Sequence, residues 1–238
     1  SEGLAELVCS NSLRSNDPNS AVGLLKDEMR QLDSIIMRCA DETAVPAGKA
    51  LAVDRDRFSK QITRTISEHP LITVVRKEIT TIPKPGEAPI ILATGSLTAD
   101  ALAESLAALT GRKRLFFYDA IAPIIHADSL DMSIVYRKSR YDDGPGDYLN
   151  CPMEKEDYER FIAELESAEC MPLHDFEEAK YFEGCLPIEI IRSRGDDTLR
   201  FGPMKPVGLE DPRTGRTPYG VVQLRKENLQ GSLYNMVG

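Results

Sequence analysis

Two of the five cysteines lie in settings that suit a reactive thiol. Cys185 follows a glycine in FEGCLPIE, with two arginines within the next ten residues. Cys9 lies in LVCSNSLRS, where a short apolar run meets a Ser/Asn loop with Arg14 nearby. A thiol is a strong nucleophile only as the thiolate, which a neighbouring cation or a helix N-terminus favours. Both settings therefore allow nucleophilic chemistry, although a small side chain filling a tight turn is the commoner use of a cysteine.

The other three cysteines are better explained by packing. Cys39 continues the apolar stripe of a predicted helix. Cys151 lies in YLNCPM, and Cys170 follows a predicted acidic helix. The five cysteines are far apart, include no C-x-x-C pair and are accompanied by only three histidines. We therefore predict neither a disulfide framework nor a metal site, and we expect free thiols.

Composition predicts a soluble, cytoplasmic protein without a membrane segment. The 238 residues are 42% hydrophobic and 28% charged, contain no apolar run near eighteen residues, and do not begin with a secretory signal. The formal net charge of −9 argues against broad attraction to nucleic acid. It does not exclude a local basic patch.

Such a patch is predicted near the C-terminal end of the chain. Residues 192–226 contain eight basic side chains against four acidic ones. The candidate phosphate contacts are Arg192, Arg194, Arg213 and Arg216. A solvated face with ordinary ion pairs is the competing explanation of the same charges, and charge alone does not decide between the two.

Helices and strands alternate along the chain. Apolar spacing and caps predict one helix capped by Asp17 and running past Ile36, and further helices over 56–68, after Thr98 and around 158–165. Runs of β-forming residues predict strands at 71–80, 91–95 and 114–119, and the Gly/Pro/Asp-rich stretch 140–150 reads as an exposed loop. This order predicts the α/β or α+β class.

Several longer stretches, in order, resemble the folate- and FAD-dependent tRNA (uracil-5-)-methyltransferase family. They are LVCSNSLRS, ILATG, GDYLNCPM, FEGCLPIE, LRFGPMKPVGL, PYGVVQLR and SLYNMVG, and together they cover the chain almost end to end. The family is related to larger flavoproteins that modify the wobble uridine of tRNA. The resemblance implies C5 methylation of the T-loop uridine of tRNA, with methylenetetrahydrofolate as the one-carbon donor, FAD as carrier and NAD(P)H as reductant.

The resemblance also implies roles for particular residues. The two functional cysteines of the family correspond to Cys9 and Cys185. We expect Cys185 to add to C6 of uracil and Cys9 to assist proton transfer near the flavin, although these roles could be exchanged. His126 and His174 are candidates for stacking on a pterin or base.

One part of the family pattern is missing. A G-x-G-x-x-G turn between an early strand and helix, which would hold the FAD pyrophosphate, does not occur in the sequence. We therefore expect a partial FAD-binding flavoprotein domain over residues 1–110, and a mixed α/β insertion domain facing tRNA over 111–238. On this view the chain is a fragment, inactive alone. The alternatives are a noncatalytic RNA-binding module and a related flavoprotein that modifies the wobble uridine.

Overall fold

The computed structural model describes residues 3–83, 86, 89–95, 98–111, 122–140, 144–169 and 186–237. The chain divides into two compact units. The first consists of Ser1–Ile72, Ile121–Ser167 and Ile188–Gly238, and the second of Thr73–Ala120 and Ala168–Pro187. The assignment of residues 1–110 to FAD and 111–238 to tRNA concerns function and stays a prediction.

The first unit contains two antiparallel sheets and six helices among the described residues. Its strands are β1 (Ser12–Ser15), β2 (Ala44–Val45), β3 (Ala50–Val53), β4 (Ile124–His126), β5 (Tyr136–Arg137), β6 (Tyr148–Met153), β7 (Gly220–Lys226) and β8 (Leu233–Met236). Its helices are α1 (Ala21–Gln31), α2 (Ile35–Glu42), α3 (Arg55–Ser67), α5 (Lys155–Ser167), α6 (Ile188–Ser193) and α7 (Thr198–Phe201). A 3-10 turn, Ala127–Ser129, follows β4. The prediction of a mixed fold of helices and strands is confirmed.

The smaller sheet has the strand order β1-β3-β2. Leu51 and Val53 of the central strand join the core formed by α2 and α3, whereas Ala52 packs with Val45 and Ala47 on the other side. The predicted helix over 56–68 is confirmed as α3, which begins because the Asp54 side chain accepts a hydrogen bond from Arg57 N.

The long first helix of the sequence prediction is wrong, because the structure divides it into α1 and α2. Ser34 N donates to the carbonyl of Met29 (3.0 Å), and Asp33 takes a left-handed conformation with φ of 53°. This pair of features ends a helix in a Schellman-type turn. Leu32, assigned to the apolar stripe, is 82% exposed as a result. The cap is Ser20, whose hydroxyl accepts from Gly23 N, and not Asp17.

The larger sheet has the strand order β4-β8-β7-β6-β5. One of its faces is apolar, with Leu149 opposite Leu224 in a buried cluster. Directly opposed residues share a face, so the other face carries polar rows, in which Tyr148 and Asn235 lie opposite Arg225. The predicted loop 140–150 is wrong at its end, because residues 148–150 belong to β6.

Three helices adjoin this sheet in the first unit. Side chains of α5 and α7, including Tyr158, Ile162 and Leu199, form a third buried cluster with Met204. The predicted helix around 158–165 is confirmed as α5. Helix α6 begins at Ile188, directly after Pro187.

The second unit is described mainly through α4 (Asp100–Thr110), which confirms the helix predicted after Thr98. The helix ends at Gly111, whose φ is 67°. Residues 71–80 and 91–95 do not form the predicted strands. Their apolar side chains are largely exposed, Ile91 to 87%, and no described strand pairs with either run. The strand predicted at 114–119 lies outside the described residues.

Helices long and apolar enough to cross a bilayer do not occur in the described part of the chain.

Candidate functional site

Cys9 lies in a short loop before β1, which we call the Cys9 loop (residues 7–11). The loop follows Ala5, whose backbone is left-handed with φ of 54°, and Cys9 itself is half-buried. A partly exposed thiol in a fixed loop is reachable by a substrate, which a core cysteine is not. The prediction that Cys9 lies at a loop mouth agrees with this location.

Asn11 fastens the end of the Cys9 loop to both sheets of the first unit. Its side chain is fully buried, and Nδ2 donates to the carbonyls of Val53 on β3 (2.9 Å) and Lys226 on β7 (2.8 Å). Its Oδ1 accepts a hydrogen bond from Arg225 Nε (2.9 Å). All three hydrogen bonds of this amide are therefore used to hold residues that are far apart in sequence.

Two arginines hold the loop on either side of Cys9. The Arg55 guanidinium on α3 donates to the carbonyls of Leu7 and Val8, the latter at 3.2 Å through Nη1. Arg225 on β7 donates through Nη2 to the hydroxyl of Ser10 (2.6 Å), in addition to its bond to Asn11. The backbone before Cys9 and the side chains after it are thus fixed by cations.

The charges around the loop are partly balanced by one buried carboxylate. Glu227 Oε1 accepts from Arg55 Nε, and the Glu227 side chain is almost completely buried. Burial lowers the pKa of the Arg225 guanidinium. A desolvated cation exerts a stronger field on a nearby thiol than an exposed one. The loop therefore provides the cationic surroundings that a nucleophilic or proton-transferring cysteine needs.

Cys39 and Cys151 lie in the structure as packed side chains. Cys39 is in the core beside α3, and burial raises the pKa of its thiol. Cys151 is half-buried on β6 against the apolar cluster of the larger sheet, and burial also raises its thiol pKa. Both conditions disfavour the thiolate. Cys170 and Cys185 lie outside the described residues.

Two of the three histidines are described. His69 follows α3, and its Nδ1 accepts a hydrogen bond from Leu71 N (3.2 Å). His126 is the exposed last residue of β4 and pairs with Leu233, so its location is a strand end and not a free loop. Its stacking role stays a prediction, and His174 lies outside the described residues.

The predicted phosphate contacts Arg192 and Arg194 lie at the end of α6. Arg192 forms ion pairs with Glu166 and Asp196, both at 3.1 Å, and its side chain is only 15% exposed. Arg194 is exposed in the turn that follows the helix, where its N–H donates to the carbonyl of Ile191 (3.2 Å). Arg192 would have to leave two carboxylates in order to reach a phosphate.

Arg213 and Arg216 lie in one turn that is closed by a bridge between Asp211 and Arg216. Arg213 donates through Nε and Nη2 to both oxygens of Asp211 (3.0 and 2.7 Å), and it also donates to the carbonyls of Ser133 and Ile134. Arg216 is exposed, and none of the described carboxylates forms an ion pair with its guanidinium. The turn therefore contains one structural arginine and one arginine that is available to a ligand.

Sequence reasoning missed Arg55, Arg225, Asn11 and Glu227 as parts of the site. Arg225 was counted only as one charge of the basic C-terminal segment. The signal available in the sequence was the alternation in VVQLRKE, where Gln, Arg and Glu occupy every second position of a strand. Alternation normally predicts a solvated face, and only a second sheet covering that face makes these residues buried.

The N-termini of α1 and α3, the helices that follow β1 and β3, do not fit the pyrophosphate of a dinucleotide. The Ser20 hydroxyl occupies the first turn of α1, and the Asp54 carboxylate occupies that of α3, where it also accepts from Leu229 N (3.0 Å). At α3 a phosphate would be repelled by the Asp54 carboxylate, and at α1 the first-turn amide of Gly23 already donates to Ser20. The residues that follow β1 and β3 therefore do not supply this part of an FAD site.

Comparison with known proteins identifies the family. All residues 1–238 match the family model described as "Glucose inhibited division protein A", so the chain belongs to this family. A protein of Desulfotalea psychrophila named "Methylenetetrahydrofolate--tRNA-(uracil-5-)-methyltransferase TrmFO" is 70% identical over 99% of the chain and 53% of its own length. Proteins with the same name from Anoxybacillus flavithermus and Syntrophus aciditrophicus are 58% identical, each covered over 54% of its length. The chain thus spans about half the length of these relatives.

Proposed function

We propose that this chain is part of a folate- and FAD-dependent tRNA (uracil-5-)-methyltransferase. The observation that carries the proposal is the 70% identity over almost the whole chain to a protein of that name. The reaction would transfer the methylene carbon of methylenetetrahydrofolate to C5 of the T-loop uridine of tRNA, with FAD and NAD(P)H as cofactor and reductant. An enzyme that acts on tRNA and folate would work in the cytoplasm.

Cysteine chemistry explains why C5 can react at all. C5 of uracil is a weak nucleophile until a group adds to C6, and a thiolate adds there readily. Cys185 would form the sulfur–carbon bond at C6, which makes C5 an enolate-like carbon. Once the carbon unit is bonded to C5, a base would remove the C5 proton as the bond between that carbon and its carrier breaks. Addition of a hydride, which reduced FAD would supply, would make the carbon a methyl group as the sulfur leaves C6. The described surroundings of Cys9 support a thiol that holds or moves a proton, and exchanged roles are the alternative assignment.

The occupied N-termini of α1 and α3 support the proposal that the phosphate part of the FAD site comes from the region of the relatives that the chain does not cover. Residues 1–110 would then contribute the Cys9 loop to the cofactor domain, and residues 111–238 would contribute Cys185 and the tRNA contacts.

A labelled-carbon assay tests the proposed reaction. In a chimera, this chain replaces the matching 235 residues of the Desulfotalea psychrophila relative. With labelled methylenetetrahydrofolate, we expect the label in 5-methyluridine of the T loop, measured by nucleoside mass spectrometry. Label at the wobble uridine would favour the related flavoprotein class. Binding of tRNA without transfer, in a preparation that contains flavin, would favour the RNA-binding module.

The proposed tRNA contact is tested by replacing Arg213 and Arg216 of the Asp211–Arg216 turn one at a time. Arg216→Ala should reduce the salt slope of tRNA binding by about one phosphate and leave the melting temperature unchanged. Arg213→Ala should lower the melting temperature, because it removes the bonds to Asp211 and to two carbonyls. Binding isotherms at several salt concentrations measure the first effect, with the exposed Arg38→Ala as the control. An unchanged slope in Arg216→Ala would show that the turn is only a solvated surface.

A further inference from the structure

Arg225 is a charged side chain in an unusual position. It is 6% exposed near the C-terminal end of β7, which lies between the strands β6 and β8. A buried guanidinium carries a desolvation cost that is normally offset by a carboxylate in direct contact. Among the described residues, none forms an ion pair with Arg225. The cost must therefore be met by other interactions.

The hydrogen bonds of Arg225 go to neutral groups on both residues that follow Cys9. Nε donates to Asn11 Oδ1 (2.9 Å) and Nη2 donates to the Ser10 hydroxyl (2.6 Å). These contacts join residues that are 214 and 215 positions apart in the chain. The charge is therefore held at the Cys9 loop by groups that do not neutralise it.

The other charged and titratable groups near the loop are already engaged. Arg55 on α3 pairs with Glu227, which follows β7, and the Asp54 carboxylate accepts hydrogen bonds from the amides of Arg57 and Leu229. Tyr148 on β6 lies opposite Arg225, its hydroxyl accepts a hydrogen bond from Arg225, and it donates to the carbonyl of Ala47 (2.9 Å). Arg14 on β1 is exposed, where salt screens its charge. Glu227 attracts Arg225 at longer range, but none of the described carboxylates near the loop forms an ion pair with the Arg225 guanidinium.

We propose that Arg225 is a positioning residue for Cys9. Through Ser10 and Asn11 it fixes the residues on the C-terminal side of Cys9, and its buried, only partly balanced charge raises the thiolate fraction of that cysteine. The inference deepens the proposed function, because it gives a physical basis for the reactivity of one of the two cysteines. It concerns the thiol itself and can be measured without methyl transfer.

Alkylation of the 238-residue chain by iodoacetamide tests the proposal. The ratio of the Cys9 alkylation rate at pH 7 to that at pH 10, followed by peptide mass spectrometry, reports the thiolate fraction. In the wild type this ratio should clearly exceed the few per cent that is typical of an ordinary thiol. Arg225→Gln should lower the ratio about tenfold, and Arg225→Lys, which keeps the charge, should lower it by less than about threefold.

Two controls separate positioning from a general loss of structure. Arg200→Gln removes another partly buried arginine, which donates to the carbonyl of Tyr219 (3.0 Å), and should leave the Cys9 ratio within about twofold of the wild type. The rate at Cys151 is read in the same digest and should stay low in every folded variant. Circular dichroism establishes which variants are folded.

A salt series on the wild type gives a second measurement that needs no variant. Because a buried cation is weakly screened, the Cys9 ratio should stay high in 1 M KCl, whereas a contribution from exposed Arg14 should disappear. Any of three results would overturn the proposal. They are a wild-type Cys9 ratio no higher than that of an ordinary thiol, loss of a high wild-type ratio in 1 M KCl, and an unchanged ratio in folded Arg225→Gln. If instead the labelled-carbon assay detects no label in 5-methyluridine while the Cys9 ratios are as expected, the proposed function is wrong and the positioning role stands.

Discussion

Cys185→Ala should abolish methyl transfer in the flavin-loaded chimera without lowering its flavin content. The residue is proposed to act on the RNA base, so the cofactor should bind as before. Cys185→Ser should fail as well, because a serine hydroxyl is barely ionised near neutral pH and is a far weaker nucleophile than a thiolate. The expected loss is complete within the sensitivity of the labelled-carbon assay.

Trapping of the intermediate identifies the nucleophile directly. A tRNA that carries 5-fluorouridine in the T loop has no C5 proton to lose, so the covalent adduct between sulfur and C6 should accumulate in the wild type. Neither Cys185 variant should form it. Cys9→Ala should still form some adduct but turn over poorly, and Cys151→Ala is the control with full adduct and turnover. If the adduct persists in Cys185→Ala and vanishes in Cys9→Ala, the roles are exchanged. An adduct mapped to any other cysteine would contradict both assignments.

Local sequence signals predicted the elements whose boundaries are set locally. The α3 and α5 helices follow from apolar residues at helical spacing, and α3 also has a capping Asp54 that bonds within its own first turn. The division between α1 and α2 was missed because it depends on one left-handed residue, Asp33, which the apolar stripe does not reveal. Apolar spacing therefore locates helices better than it locates their ends.

Elements and contacts that depend on residues distant in sequence were predicted less accurately. The run 71–80 has a strand composition, but a strand also needs a partner, and none of the described strands pairs with it. Cys9 was identified from a motif and its Ser/Asn surroundings, whereas Arg225, which bonds to the loop from more than 200 residues away, looked like an ordinary charge. The motif identified Cys9 as a candidate reactive group, and only the tertiary structure reveals which side chains hold its loop.

The 238-residue chain alone should not retain FAD through gel filtration. An FAD pyrophosphate is normally held by several charge-assisted hydrogen bonds from a glycine-rich turn and a helix N-terminus. The described helices that follow β1 and β3 have their first turns occupied by Ser20 and Asp54. Loss of two or three such bonds corresponds to about 3–6 kcal/mol, which is two to four powers of ten in Kd. The measurement is the ratio of flavin absorbance to protein in the eluted peak.

The chimera with the Desulfotalea psychrophila relative is the matched positive control, and it should elute with stoichiometric flavin. Asp54→Asn in the isolated chain tests whether the carboxylate merely blocks a latent site at α3. Asparagine caps a helix about as well as aspartate, so the fold should survive while the repelling charge is removed. We expect this variant to stay colourless, because α3 begins within the sequence Asp-Arg-Asp and has no glycine that would let a phosphate approach its backbone. A yellow wild-type chain would contradict the assignment of the phosphate site to the region of the relatives that the chain does not cover, and a yellow Asp54→Asn chain would move that site to α3.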